Sequence, residues 1–445
     1  MHAALAVATA LLMAGASAQA SPVQLGPCGP IDRRFEAVEQ RALGLRRLGG
    51  TPIAKIGLVA YRGGVARPIP FQIDERGEGG LAVDEGSDVP TRDDEPGVLD
   101  QDDQLVFMPC DAGERAPDAR VDRRDRREIV LDDPITKATA WVYVVVADDP
   151  PRTDRRYVDY EPGVDLVKTA AYRLGMVNTL PRYFAVALAG PFGPNLLDGA
   201  RLRAEATLHG SLVRWSQDED DGLHEMIGWR SGPVRVVRRT RHKVELGMGI
   251  HLTAGVAHTY FYPQHVYGPG SLKLPFSPSV FFQDINGFGG ADFRDLRGWR
   301  LVTPGSPPHG FRIDGKMSES EQAFAAKPPR PASWFALTRE HEALVVVLTM
   351  SEALAATVPL ELVYLDDEKR VAPPEDVPGS VPLVGMRGRE VQNVEAGSYR
   401  FQIRAFMMPG WTPGKERALL AQLARPLNVF VSVPAWLEDE RAAHQ

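Results

Sequence analysis

Ala140-Trp141-Val142-Tyr143-Val144-Val145-Val146-Ala147 reads as a β-strand buried on both faces. Its β-branched and aromatic residues show no polar alternation, which is the pattern of a strand inside a packed sheet. Asp148-Asp149-Pro150-Pro151 closes it with turn chemistry. The same signature recurs outward in both directions. Residues 53–61, 69–73 and 104–108 are short runs rich in Val, Ile, Tyr and Phe on one side. Residues 184–188, 202–215, 224–229, 234–250, 256–262, 343–350, 360–365, 399–406 and 429–433 repeat it on the other. Such runs, separated by Gly and Pro turns, predict a mainly β protein with few helices.

Two helices are expected. Phe35, Val38, Ala42 and Leu43 recur at helical spacing between Asp32 and Gly49-Gly50. Pro413 and Gly414 open a second, with Leu419, Leu420 and Leu423 facing inward and Pro426 stopping it. Prolines mark the organisation. We expect an N-terminal β-sandwich-like domain over 21–150, a linker over 151–165 and a central β-rich domain over 166–326. A stiff connector, Lys327-Pro328-Pro329-Arg330-Pro331, falls in 327–333, and a β-rich part over 334–445 packs with the central domain. The larger, later sandwich resembles mutarotase-like sandwiches, a likeness of fold class that carries little about function.

The segment Met1 to Ala20 reads as a secretory signal peptide. An apolar run from Ala3 to Met13 is followed by small residues and Ala18-Gln19-Ala20, a cleavage pattern. Export places the mature chain in the periplasm or outside the cell and allows a bridge between Cys28 and Cys110, the two cysteines. No later apolar run has the length of a membrane helix. A net charge of −7 disfavours wholesale nucleic-acid binding.

The sharpest local pattern is Pro68-Ile69-Pro70-Phe71-Gln72-Ile73-Asp74-Glu75, answered by Leu99-Asp100-Gln101-Asp102-Asp103-Gln104-Leu105-Val106-Phe107-Met108. The first is expected at a sheet edge, because proline donates no ladder hydrogen bond. The second is an acidic turn feeding a buried strand. The pair resembles uncharacterised secreted bacterial proteins that share a "PFQIDE … DELVFM" signature, with Gln104 here in place of the glutamate. That resemblance implies a β-sandwich and carries over no activity.

Calcium is the candidate cofactor. Asp100, Asp102 and Asp103 offer alternating carboxylates in a tight turn, and calcium takes six to eight oxygens. Asp284, Asn286 and Asp292 form a second, imperfect set within a glycine-rich stretch. The plain alternatives are a solvated acidic turn, and a glycine-rich loop that carries Phe288 and Phe293 into a core or pocket.

Histidines crowd the middle of the chain, with His251, His258 and His265 interleaved with Tyr260, Tyr262 and Tyr267. They are either polar-face residues on twisted strands or the lining of an imidazole–phenol cleft. Arg235, Arg239, Arg241 and Lys243 share one strand face, which is expected to be solvated and paired with acidic neighbours. No G-x-S-x-G, P-loop or H-E-x-x-H motif occurs. Two functions follow. One is an exported, non-catalytic or accessory envelope component whose partner is an envelope protein or ligand. The other is a carbohydrate-active protein for acidic glycans. In its catalytic form it would be lyase- or epimerase-like, with His258 or Tyr260 as base and Arg235 or Arg239 offsetting a uronate charge.

Overall fold

The computed structural model describes residues 21–432 except 46–47, 78–79, 82–92, 94, 118–125, 178, 188–190, 222, 246–250 and 371–378. The leader assigned to Met1 to Ala20 lies outside them. The architecture is mainly antiparallel β, with three short α-helices among the described residues. No helix there is long and apolar enough to cross a membrane.

Thr139–Val146 takes the central place its composition demands. It lies between Arg126–Asp132 and Ile56–Arg62 in a five-stranded sheet. Val65–Pro68, which carries Pro68, forms one edge, and Asn428–Ser432 returns from the far end of the chain to form the other. A three-stranded sheet packs against this one. Its central strand, Gln104–Phe107, is flanked by Val38–Arg41 and Phe71–Asp74. The two halves of the sequence signature therefore pair directly, with Phe71 opposite Phe107 and Asp74 opposite Gln104. Leu58, Phe107, Ile129 and Val142 fill the space between the sheets.

The helix expected at Phe35–Leu43 does not form. Val38–Arg41 is a strand, followed by a 3-10 turn over Ala42–Leu45. The segment finds its backbone partners in Gln104–Phe107, and tertiary pairing of this kind overrides a short helical pattern. The other helix does form, over Lys415–Ala424, with Leu419 buried and Leu420 and Leu423 against the same cluster.

The larger unit layers two more sheets. One has five strands, in the order Arg214–Asp218, Leu197–Leu208, Phe282–Phe293, Leu383–Gly388, Glu361–Leu365. The other has nine, running from Leu223–Ser231 at one edge to Phe311–Arg312 at the other. Val236, Phe261, Leu337 and Met407 lie in the main core. A four-stranded meander, Val158 to Val186, adds Val158, Val167 and Tyr172 to that core. Its first strand, Val158–Glu161, occupies part of the stretch expected as linker. The last helix covers the outer face of the nine-stranded sheet through Val345, Phe406, Met408 and Leu419.

The glycine-rich stretch from Asp284 is part of a twelve-residue strand, Phe282–Phe293, and not a loop. Phe288 and Phe293 are buried, as that reading expected. Glycine is required for close strand approach: a Cβ on Gly290 would stand 2.6 Å from the carbonyl oxygen of Val384. Cys28 and Cys110 are joined in a disulfide, with their Cα atoms 4.1 Å apart.

Candidate functional site

The signature residues meet the larger unit at Arg235. Gln72 Oε1 accepts the backbone N–H groups of Val234 (3.0 Å) and Arg235 (2.8 Å), and its Nε2 donates to Asp74 Oδ1 at 2.7 Å. Gly232 permits this approach, because a Cβ there would fall 2.1 Å from Gln72 Oε1. The Arg235 Nε donates to Asp74 Oδ2 at 2.8 Å, Nη1 to the Tyr262 hydroxyl at 2.8 Å, and Nη2 to Gln104 Oε1 at 2.8 Å. Glu39 Oε1 lies 3.0 Å from Nη1 and accepts the Tyr262 hydroxyl at 2.5 Å. Arg230 adds a bond to Asp74 Oδ1 at 3.1 Å.

This corrects two expectations. The arginine stripe is not a solvated face: Arg235 is wholly buried and Arg239 is 7% exposed. Nor is Arg235 available to offset a substrate charge, because its fork is committed to Asp74, Glu39, Gln104 and Tyr262. A guanidinium saturated with fixed acceptors binds layers together and leaves no donor for a ligand. Arg238, on the opposite face, is held by Asp165. Arg241 pairs with Glu225 at 3.0 Å.

Beside this clamp, the outer face of the nine-stranded sheet gathers the rings flagged by the sequence. The register sets Arg239 opposite His258 and Val237 opposite Tyr260. Tyr260 stacks on Tyr267 with ring centres 5.7 Å apart, and the Arg404 guanidinium lies 4.8 Å from the Tyr267 ring. His258 is 6.4 Å from Tyr260, while Tyr262, His265 and Phe406 stack in sequence at 4.4 and 5.6 Å. His258 and His265 therefore share a face because they lie on different strands. The side chains of His224, His242 and His251 lie outside the described set.

Electrostatics follow from burial. Desolvation, with Arg239 and Arg76 adding repulsion, pushes His258 down to about 4. Burial first, then Arg404, pushes His265 down to about 3. Both imidazoles are neutral at pH 7. The Tyr260 phenol is raised, chiefly by burial. The Nε2 of His258 and the Nδ1 of His265 are buried and have no hydrogen-bond partner. A cavity of about 250 Å³ opens next to the stack, lined by Glu36, Glu39, His265, Tyr267, Arg404 and Gln422. Glu39, Arg76 and Arg404 carry no local sequence signal. They reach the site only through sheet packing.

The acidic turn is organised differently from the sequence expectation. Asp93, Asp100 and Asp103 bring carboxylate oxygens within 4.8 Å of one another, and Asp102 is not in this group. Asp102 instead donates its backbone N–H to Asp100 Oδ1 at 3.1 Å. Asp103 accepts the N–H groups of Arg76 and Asp100, each at 3.1 Å. Burial, with repulsion from Asp100 and Asp93, pushes Asp103 up to about 7. Three clustered carboxylates of this kind can coordinate a metal ion. Asp284, Asn286 and Asp292 do not converge. They are spread along one strand, so Asp284 and Asp292 stand roughly 25 Å apart at the usual rise per residue. Asp292 is buried 3.0 Å from Arg201.

No family model matches this chain, and no curated protein matches it. Among solved structures it is similar to an alpha-mannosidase from Enterococcus faecalis V583, with a TM-score of 0.46 and 9% identity over 89% of this chain and 44% of that one. It is also similar to a putative aldose 1-epimerase from Escherichia coli K12, with a TM-score of 0.30 and 8% identity over 57% of this chain and 99% of that one. The chain thus spans less than half the length of the mannosidase. Likenesses this distant carry no argument about this chain.

Proposed function

We propose that this chain is an exported carbohydrate-binding protein that takes an acidic sugar on the outer face of its nine-stranded sheet. The observation that carries the reading is the Tyr260–Tyr267 stack at 5.7 Å with Arg404 over Tyr267 at 4.8 Å. The ring faces are taken up by the stack and by Arg404 and Arg235, so a sugar would meet the ring edges and phenol hydroxyls, with the Arg404 guanidinium beside them to recognise a carboxylate. Arg239, opposite His258, adds positive potential at the other end of the row.

Binding is the primary reading, rather than proton abstraction. His258 is neutral and so has the protonation state of a base, but its Nε2 is buried. A base role requires that ring to turn outward. In the bound reading, His258 and the raised Tyr260 phenol act as a neutral wall beside the sugar.

The cation reading is secondary. Asp93, Asp100 and Asp103 favour a hard, oxygen-seeking ion, and calcium is the one we propose, in a structural role.

Titration calorimetry of the mature chain against trigalacturonate and a neutral trisaccharide tests the main reading. Saturable binding of the acidic sugar alone, with one class of sites lost in Tyr267→Ala, supports it. Equal binding of both sugars, or none of either, overturns it. Appearance of unsaturated ends during incubation would replace binding with lyase chemistry.

A further inference from the structure

A second basic site lies on the other sheet. A cleft of about 710 Å³ runs between the connector that carries Lys327 and Arg330 and the edge strand Glu361–Leu365 with its neighbour Leu383–Gly388. Among the described residues, Lys327, Arg330, Arg370, Arg387 and Arg389 line it, against the single carboxylate of Glu361. The chain as a whole carries −7, so an excess of four positive charges in one cleft is a local concentration and not a reflection of composition.

Glu361 explains how the arginines are held. Its side chain is 3% exposed and receives Arg389 Nε at 2.7 Å, Arg387 Nη1 at 3.6 Å and Arg330 through Nη2. One buried carboxylate has too few lone pairs to use the donors of three guanidinium forks. The rest of each fork stays toward the opening, where Arg330 and Arg389 are each 47% exposed and Arg387 30%. Arg370 closes the row, with a buried Nε that has no hydrogen-bond partner. The connector Lys327-Pro328-Pro329-Arg330 is stiff by composition, so Lys327 and Arg330 are presented with little backbone freedom to lose.

We propose that this cleft is a binding site for a multivalent oxyanion: a phosphate, a sulfate or the successive carboxylates of an oligouronate. Guanidinium forks match these groups in bidentate geometry, which a set of lysines would not do. The site is independent of the tyrosine platform, which lies on the nine-stranded sheet.

The test is titration calorimetry of the mature chain at low ionic strength with inorganic phosphate, sulfate and trigalacturonate. Saturable binding of at least one is expected, weakened by about tenfold or more in Arg387→Gln/Arg389→Gln. Should that pair unfold the edge strand, Arg330→Gln on the connector reads the same loss. Trigalacturonate binding more tightly than its monomer identifies an acidic saccharide. Phosphate or sulfate binding with no such gain identifies a free anion. Tyr267→Ala leaves the binding at this cleft unchanged. No saturation with any of the three overturns the proposal, as do unchanged affinities in the arginine variants.

Discussion

Arg235 and Asp74 are separated by 161 residues, yet Nε of one lies 2.8 Å from Oδ2 of the other, and neither side chain has any exposed surface. The pair ties the N-terminal sandwich to the larger one. Removing Asp74 leaves the buried Arg235 compensated only in part, by Glu39, and Arg230 with Glu75 alone, a cost of up to about 3–5 kcal/mol. Asp74→Ala is therefore expected to destabilise the chain by up to that amount in denaturant unfolding. Asp74→Leu/Arg235→Met, which removes both charges, should recover much of the loss. A double variant no more stable than Asp74→Ala would show that the clamp does not act as a charge pair.

The disulfide makes a separate contribution. It closes a loop across 82 positions, for which chain-entropy reasoning gives about 4 kcal/mol. Cys28→Ser/Cys110→Ser, or reduction of the native chain, should lower the unfolding free energy by about that much. Identical melting curves for oxidised and reduced protein would remove the bridge from the account.

Acid sensitivity has a calculable sign. His265 is pushed down to about 3 from an ordinary 6.5, so the unfolded chain binds its proton over that window and the folded chain does not. The contribution of His265 to stability falls as pH drops from about 6.5 towards 3, and His265→Gln should remove it, changing the slope by at most about 1.4 kcal/mol per pH unit. Asp111 works in the opposite sense. Burial pushes it up to about 6, against the hydrogen bond from Tyr157, so its contribution improves as pH falls from about 6 to its ordinary 3.8. Asp111→Asn should therefore steepen the acid loss. Chemical unfolding across pH 3–7 reads both slopes.

For the acidic turn, the expected result is a higher melting temperature with calcium than with EDTA, because an ion that binds only the folded state stabilises it by mass action. Asp103→Asn should abolish the difference, since Asp103 supplies one of the three converging carboxylates. Asp292→Asn should not abolish it, because that carboxylate is committed to Arg201 far along another strand. Equal melting temperatures with calcium and EDTA would leave the turn as a hydrogen-bonded loop.

Local composition was a good guide wherever one segment's own chemistry decides its state. Thr139–Val146 is central because it is apolar on both faces. Lys415–Ala424 is helical because glycine and proline bound an amphipathic run. The helix expected around Phe35–Leu43 failed for the converse reason. Its apolar spacing fits two states, and a strand partner far along the chain, with Phe107 opposite Val38, selected the extended one.

The site shows the same division more sharply. Tyr260, Tyr267 and His258 were legible as a crowd of rings, but not as one surface, because the register between strands sets which rings meet. Asp93 replaces Asp102 in the acidic cluster because turn geometry, not sequence adjacency, brings oxygens together.

By itself, the sequence determined a mainly β protein with few helices, the pairing candidates Cys28 and Cys110, and the residue types available for binding. Those follow from side-chain size, branching and charge, which act over a few residues. Only the tertiary structure decided that Arg235 is a buried strut, that Arg404 and Glu39 join the tyrosine row, and that five cations share a cleft with Glu361. Electrostatics depends on distance and burial in space, and neither is encoded by separation along the chain.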